Sequence, residues 1–199
     1  MKLKFPYDAV ETEDKEMGMF SRKDMVRLFG PLLVEQLLAV LVGMADVVMV
    51  AAVGETAVSS VALVDSISVL VIQVLSAMAT GGAVVCAQYI GKKRQDQACR
   101  AAGQLVLITA VLSLLIASAA FIGNRHLLRL IFGSVETEVM DNAATYFWFT
   151  AMSYPFLALY NAGAAIFRSI GNSNISMRVS LIMNGINVVG NAILIYVCK

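Results

Sequence analysis

The sequence predicts an all-α integral membrane protein with five transmembrane helices. Hydrophobic residues make up 59% of its 199 residues and charged residues only 15%, and the mean hydropathy is +0.77. A soluble domain of this length is far more polar. The apolar residues also form runs long enough to cross a hydrocarbon core about 30 Å thick, which takes ~20 residues of helix. The net charge of +1 provides no basic field of the kind that attracts nucleic acids.

Charged and Gly/Asn-rich clusters divide the apolar runs into five predicted spans, about 25–53, 57–90, 97–122, 137–170 and 175–196. The clusters that end the first four spans are 54–56, 91–94, 123–125 and 171–174, and a short amphipathic piece, 127–132, follows the third. Residues 1–24 are predicted to form an N-terminal tail and 25–199 the membrane bundle. The tail has no apolar segment typical of a signal peptide, so we expect the first span to direct insertion.

The distribution of Lys and Arg predicts the orientation of the bundle. Membrane proteins carry an excess of these residues in cytoplasmic loops. Only Arg125, Arg129 and Lys199 fall on one side of the predicted membrane. The other twelve fall on the opposite side: Lys2, Lys4, Lys15, Arg22, Lys23, Arg27, Lys92, Lys93, Arg94, Arg100, Arg168 and Arg178. We therefore expect a cytoplasmic N-terminus, an outer C-terminus, and a multi-pass protein of an inner (plasma) membrane.

Three carboxylates, Glu35, Asp46 and Asp65, lie inside the predicted spans. An acidic residue at the centre of a membrane helix costs roughly 2.5–3.5 kcal/mol on insertion scales, so such residues face a bundle interior or a water-filled path. Glu35 and Asp46 are eleven residues apart, which places them on nearly the same helix face, about 16 Å apart along the axis. Asp65 is nearer the outer surface, beside Ser66 and Ser68.

The fifth span carries Asn184, Asn187 and Asn191 on a single face, at the i, i+3, i+7 spacing of neighbours. Asn187 and Asn191 are predicted to lie at the depth of Asp46, in the outer half of the membrane. We therefore predict that Asp46 exchanges a proton or a sodium ion there with the asparagines as polar partners. The alternative is that these amides only join helices, a contact worth about 0.6 kcal/mol on average in membranes.

Some of the other polar residues are candidates for lining a substrate path, and the rest belong to no predicted site. Glu35, Gln36, Asp65 and Gln73 are candidates for lining a substrate path, and the two glutamines could instead bridge helices. His126 and the three cysteines, Cys86, Cys99 and Cys198, show no metal-ligand spacing. Neither they nor the dispersed acids form a catalytic constellation, so we expect no metal, no cofactor other than a coupling ion, and no enzyme activity.

Five segments resemble the N-terminal half of the multidrug and toxic compound extrusion (MATE) transporter family. They are Gly30-Pro31, GMADVVMVAAVGETAVSSVAL (43–63), GGAVVCAQYIGKK (81–93), FRSIGNS (167–173) and NVVGNAILIY (187–196). The resemblance implies an antiporter of two six-helix lobes that expels cationic or amphipathic molecules in exchange for Na⁺ or H⁺. It places that family's first-helix aspartate at Asp46 and its fifth-helix polar pair at Asn187 and Asn191. A fourth-helix asparagine of such sites falls near Asn161.

The resemblance also implies partners that this chain does not contain. The five spans would form most of one lobe, and a sixth helix and the second lobe are missing from the sequence. We therefore expect a fragment that needs both, besides the lipid bilayer, to move a substrate, since lobes move against each other around a central site. The alternatives are a lipid-linked flippase of the same superfamily, which a more basic cavity would favour, and a non-transporting membrane subunit.

Overall fold

The computed structural model describes residues 22–133 and 135–196, which form five α-helices. They are α1 (Arg22–Ala51), α2 (Glu55–Gly91), α3 (Gln95–Phe132), α4 (Thr137–Ser169) and α5 (Ser173–Tyr196). The all-helical fold expected from the sequence is confirmed. Most of the predicted tail, residues 1–21, and the last three residues, with Cys198, lie outside the described residues, so the tail stays a prediction.

Three-residue turns join α1 to α2, α2 to α3, and α4 to α5, so that each of these pairs is antiparallel. Gly54 has a φ of 143° and Gly171 a φ of 80°, values in the left-handed region that L side chains rarely adopt. Lys93 takes a φ of 57° in the turn between α2 and α3. The glycine-containing clusters identified in the sequence therefore mark real chain reversals at 54 and 171.

Helices α2, α3 and α4 pack most extensively and form the core. A stripe of buried side chains runs along α4 at intervals of three or four residues: Ala143, Phe147, Ala151, Tyr154, Ala158, Ala162 and Ala165. Small residues at helix interfaces allow the backbones to approach closely in a membrane. Near the end of α4, Ala165 packs against Ala79 and Ala83 of α2 in a cluster of buried alanines. The stripe therefore places α4 between α2 and α3.

Within the described range, four helices are long and apolar enough to cross a membrane: α1 from Phe29, α2, α3, and α5 to Ile195. Helix α4 is the exception, although it has more buried residues than α2 or α3. Its first turns carry Glu138, Asp141 and Asn142. One face of α4 is packed against its neighbours, while apolar side chains such as Phe149, Met152 and Phe156 are exposed on the other.

Helix α3 does not end at Gly123-Asn124-Arg125 but continues through this cluster to Phe132, and the predicted membrane boundary there stays a prediction. The predicted separate amphipathic piece is the last part of the same helix. Asn124 donates from Nδ2 to the carbonyl oxygen of Ala144 on α4 at 2.7 Å, and Arg125 pairs with Asp141. Packing against α4 therefore stabilises a helical conformation at residues that, taken alone, favour a chain end.

Helices α1 and α5 lie side by side and contact the core less extensively than they contact each other. Few of their side chains are buried, and apolar residues such as Leu37, Met44 and Ile186 are exposed. Residues early in α1 contact residues early in α5, and late residues contact late residues, so the two helices are parallel. We call the line of contact between them the α1/α5 seam.

Candidate functional site

Two polar clusters lie on the α1/α5 seam, one toward each end. The eleven residues between Glu35 and Asp46 correspond to about three helical turns, so both carboxylates face α5 with about 16 Å between their levels. On α5, Ser176 and Asn187 are also eleven residues apart. Parallel helices with equal spacings bring matching residues together at two levels.

The first cluster, the Asp46 cluster, contains Asp46, Asn187 and Asn191. Asn191 donates from Nδ2 to Oδ1 of Asp46 at 2.9 Å. Asn187 lies one turn earlier on α5, and with its amide nitrogen toward Asp46 it donates to Oδ1 at 3.2 Å and Oδ2 at 3.3 Å. The structure therefore brings together the three residues that the sequence placed at one depth.

The Asn187 amide nitrogen faces Asp46, because in the reverse orientation the amide oxygen would face the carboxylate oxygens. With its oxygen toward the cluster, Oδ1 of Asn187 accepts from Nδ2 of Asn191 at 3.3 Å. In that orientation the amide oxygen would also face the carboxylate oxygens, an unfavourable contact between acceptors. In the other orientation two amide donors face an ionised carboxylate, which accepts hydrogen bonds only. The hydrogen bonds therefore favour the orientation in which both amide nitrogens face Asp46.

Asp65 on α2 lies beside this cluster. Its side chain is largely exposed, and its polar neighbours are Tyr146 on α4 and Asp46 on α1, whose charge acts on it. The role of Asp65 in a substrate path stays a prediction.

The second cluster, the Glu35 cluster, contains Glu35, Tyr160, Ser176 and Arg168. The Tyr160 hydroxyl donates to Oε1 of Glu35 at 2.9 Å, and the Ser176 hydroxyl donates to Oε2 at 2.9 Å. The Arg168 guanidinium lies 4.0 Å from Oε1, beyond direct hydrogen-bonding distance. The Glu35 side chain is 17% exposed, whereas that of Arg168 is 32% exposed. Glu35 thus connects α1 to both α4 and α5.

A cavity of about 360 Å³ opens beside Glu35, between α1, α4 and α5. Its walls combine polar and apolar side chains. The polar ones are Glu35, Gln36, Tyr160, Arg168, Ser180 and Asn184, and the apolar ones are Leu32, Ala39, Leu157 and Met183. Ligand pockets of roughly 300–1,000 Å³ with apolar walls and a few placed polar groups are typical of small-molecule sites.

The remaining candidate residues from the sequence do not lie in one place. Asn184 does not join Asp46: its Nδ2 donates to Ser180 of the same helix at 3.2 Å, and the residue lines the Glu35 cavity. Gln36 lines the same cavity, and Gln73 is exposed on α2 outside it. In the described part of the chain the Asn161 side chain forms no hydrogen bond. The cation-binding and substrate-path roles of these residues stay predictions.

Sequence reasoning missed Tyr160, Ser176 and Arg168. The signal for Ser176 was present, because its distance from Asn187 equals the distance from Glu35 to Asp46. Tyr160 and Arg168 offered no such signal, since only the packing of α4 behind the seam brings them to Glu35. Among residues 22–133 and 135–196, no three His, Cys, Asp or Glu side chains form a group suited to a metal ion.

A protein-family model described as MatE matches residues 31–193, which include both clusters. The chain belongs to the MatE family. The resemblance to MATE transporters is therefore confirmed, and this family consists of membrane transporters rather than enzymes. A multi-pass membrane protein, as predicted, follows from this membership together with the apolar helices.

Curated and solved relatives agree with this MatE assignment. The chain is 26% identical over 183 residues to the uncharacterized transporter YisQ of Bacillus subtilis, covering 92% of this chain and 38% of YisQ. It is 22% identical, with a TM-score of 0.83, to a MOP superfamily transporter from Pyrococcus furiosus whose binding pocket is described as having reverse polarity. The same values relate it to a multidrug resistance MATE transporter in an outward-facing conformation. Both matches cover 89% of this chain and 39% of the other.

The MatE chain thus spans about two fifths of the length of these relatives. That share is consistent with part of an N-terminal half, as the sequence segments indicated. At this level of identity, the solved structures establish the fold alone. The five-helix arrangement described here is therefore the fold of part of a MATE transporter.

Proposed function

We propose that this chain is the ion-coupling part of an efflux antiporter that exchanges Na⁺ or H⁺ for a cationic or amphipathic small molecule. Membership of the MatE family supports transport of small molecules. The observation that carries the coupling role is the 2.9 Å contact between Asp46 and Asn191, with the Asn187 amide 3.2–3.3 Å from the same carboxylate. A carboxylate inside a membrane helix costs free energy, and the family resemblance implies that this carboxylate binds the coupling ion.

We propose that proton exchange at Asp46 uses a rotation of the Asn187 amide. When Asp46 is ionised, the amide nitrogens of Asn187 and Asn191 donate to it. When Asp46 binds a proton, its hydroxyl needs an acceptor, and rotation of the Asn187 amide presents Oδ1. The proton is thus exchanged with a local amide rotation and no movement of either helix axis.

Sodium exchange requires a larger rearrangement of the same residues than proton exchange does. Hard cations bind to oxygen ligands, so Asp46 would supply carboxylate oxygens and both amides would turn their oxygens inward. The Asn191 amide then gives up its 2.9 Å hydrogen bond to Asp46. Measuring which ion drives transport therefore also tests which amides rotate.

We also propose the orientation of the helices. Twelve of the fifteen basic residues fall on one predicted side, which makes that side cytoplasmic. The Asp46 cluster then lies in the outer half of an inner membrane, and the Glu35 cluster lies in the cytoplasmic half. A coupling ion would bind nearer the outside, and a molecule from the cytoplasm would meet Glu35 first.

The test is ethidium efflux from cells carrying a full-length transporter that contains this chain, with an imposed Na⁺ or pH gradient. We expect Asp46→Asn to lower the gradient-driven rate at least tenfold, because an amide neither ionises nor exchanges a proton in this range. Asp141→Asn removes an exposed carboxylate elsewhere and should keep the rate. Gradient-driven efflux by Asp46→Asn at the unmodified rate would exclude Asp46 from coupling.

A further inference from the structure

The geometry points to a second cation site on the α1/α5 seam: the Glu35 cavity binds an organic cation that has an apolar body, and this cation takes the place of the Arg168 guanidinium. The inference rests on the proposed efflux function for its biological meaning. The proposed site lies about 16 Å from Asp46 along the helix axis. The Arg168 guanidinium competes with the bound cation for Glu35.

Glu35 accepts a hydrogen bond on each of its carboxylate oxygens. Each of its carboxylate oxygens accepts one hydrogen bond from a hydroxyl at 2.9 Å, Oε1 from Tyr160 and Oε2 from Ser176. The Glu35 side chain is 17% exposed, and a carboxylate with so little access to water is stabilised by a nearby cation.

The positive charge of Arg168 is only partly paired with Glu35. Its guanidinium stays 4.0 Å from Oε1, so the pair lacks the direct hydrogen bonds that make Arg–carboxylate pairs strong. Arg168 also lies in the last turn of α4, where free carbonyl groups attract a positive charge. The guanidinium, 32% exposed, thus has a favourable position near these carbonyl groups when another cation approaches Glu35.

The size and walls of the cavity select the kind of cation. Its volume of about 360 Å³ exceeds the share of one water molecule, about 30 Å³, more than tenfold. Leu32, Ala39, Leu157 and Met183 form its apolar walls. Flexible, polarisable methionine adapts to differently shaped apolar groups. An ammonium or iminium group carried on an aliphatic or aromatic body fits this combination better than a bare metal ion.

The experiment titrates the purified chain in lipid nanodiscs with ethidium, at one pH and without an ion gradient, and follows fluorescence anisotropy against empty nanodiscs. We expect saturable binding that Glu35→Gln weakens at least tenfold and that Arg168→Gln strengthens threefold or more, because the competing charge is removed. Phenanthridine, a neutral ring of similar shape, should bind at least tenfold more weakly than ethidium.

Two further variants keep the test decisive. Glu35→Gln/Arg168→Gln removes both charges, so it leaves no unpaired charge that could impair folding, and it should bind ethidium as weakly as Glu35→Gln. Asp141→Asn and Arg125→Gln remove the members of an exposed ion pair and should leave the Kd within twofold. Circular dichroism of each variant verifies its helical content.

Several results would overturn the inference. They are unchanged ethidium binding in both variants that lack Glu35, weaker binding in Arg168→Gln, and equal binding of phenanthridine. Saturable binding of Na⁺ that depends on Glu35, with none of ethidium, would also overturn it. Because the titration uses no gradient, its outcome is independent of whether Asp46 couples transport.

Discussion

Two asparagines on one face of α5 provide a matched pair of substitutions. Asn191 donates across the seam to Asp46 of α1, whereas Asn184, seven residues earlier, donates to Ser180 of its own helix. Asn191→Leu should therefore loosen the attachment of α1, and Asn184→Leu should not. This distinction matters because α1 has few buried side chains, so polar contacts provide a large part of its attachment.

The expected magnitude follows from the kind of hydrogen bond. Hydrogen bonds between membrane helices contribute about 0.6 kcal/mol on average and at most about 1.7. Hydrogen bonds to charged groups in proteins contribute about 1.5–3 kcal/mol. We expect Asn191→Leu to lower the free energy of unfolding by about 1–2 kcal/mol, between these two ranges, and Asn184→Leu by less than about 0.6 kcal/mol.

The assay is unfolding of the purified chain in mixed micelles with increasing SDS, followed by far-ultraviolet circular dichroism. A double-mutant cycle with Asp46→Leu isolates the contact itself. The effects of Asn191→Leu and Asp46→Leu should fall short of additivity by about 1 kcal/mol, whereas separated sites add to within about 0.3–0.5 kcal/mol. Additive effects for Asn191 and Asp46, or equal effects of the two asparagine variants, would refute the assigned contact.

Two further predictions concern the core and the orientation. Ala79→Leu adds three carbon atoms to a buried alanine cluster and should lower the free energy of unfolding by about 1–3 kcal/mol, measured by the same SDS titration. The control variant Ala77→Leu, on an exposed face of α2, should lower it by less than about 0.5 kcal/mol. Equal losses in the two variants would contradict the packing. In a Cys198→Ser background, the exposed Cys99 should react with an impermeant maleimide in inside-out vesicles but not in right-side-out vesicles. The buried Cys86 should react in neither. Labelling of Cys99 in right-side-out vesicles would reverse the proposed orientation.

Much of the fold was predictable because helix ends in a membrane protein are marked by local residues. The turns at Gly54 and Gly171 occur where the sequence carries glycine beside polar residues. The same rule failed at Gly123-Asn124-Arg125, since the hydrogen bond from Asn124 to the Ala144 carbonyl depends on α4. A local signal predicts a helix end only where no neighbouring helix provides partners for its polar groups.

The candidate site was predictable to the extent that it obeys helical spacing. Asp46, Asn187 and Asn191 meet as their depths and faces indicated. Asn184 shares that face, but it lies about 10 Å from the level of Asn191 along the axis, and it lines the Glu35 cavity instead. Tyr160 and Arg168 could not be anticipated, because the position of α4 behind the seam depends on its alanine stripe.

The composition of α4 has a consequence for biosynthesis. Residues such as Tyr146, Trp148 and Asn161, spread along α4, lower its mean hydropathy below that of the other four described helices, so its transfer from the translocon into lipid is less favourable than theirs. Its contacts with α3, through Asn124 and Arg125, link it to a strongly apolar neighbour that is synthesised immediately before it. We therefore expect α3 to favour the insertion of α4, and loss of α3 to lower the fraction of α4 that enters the bilayer.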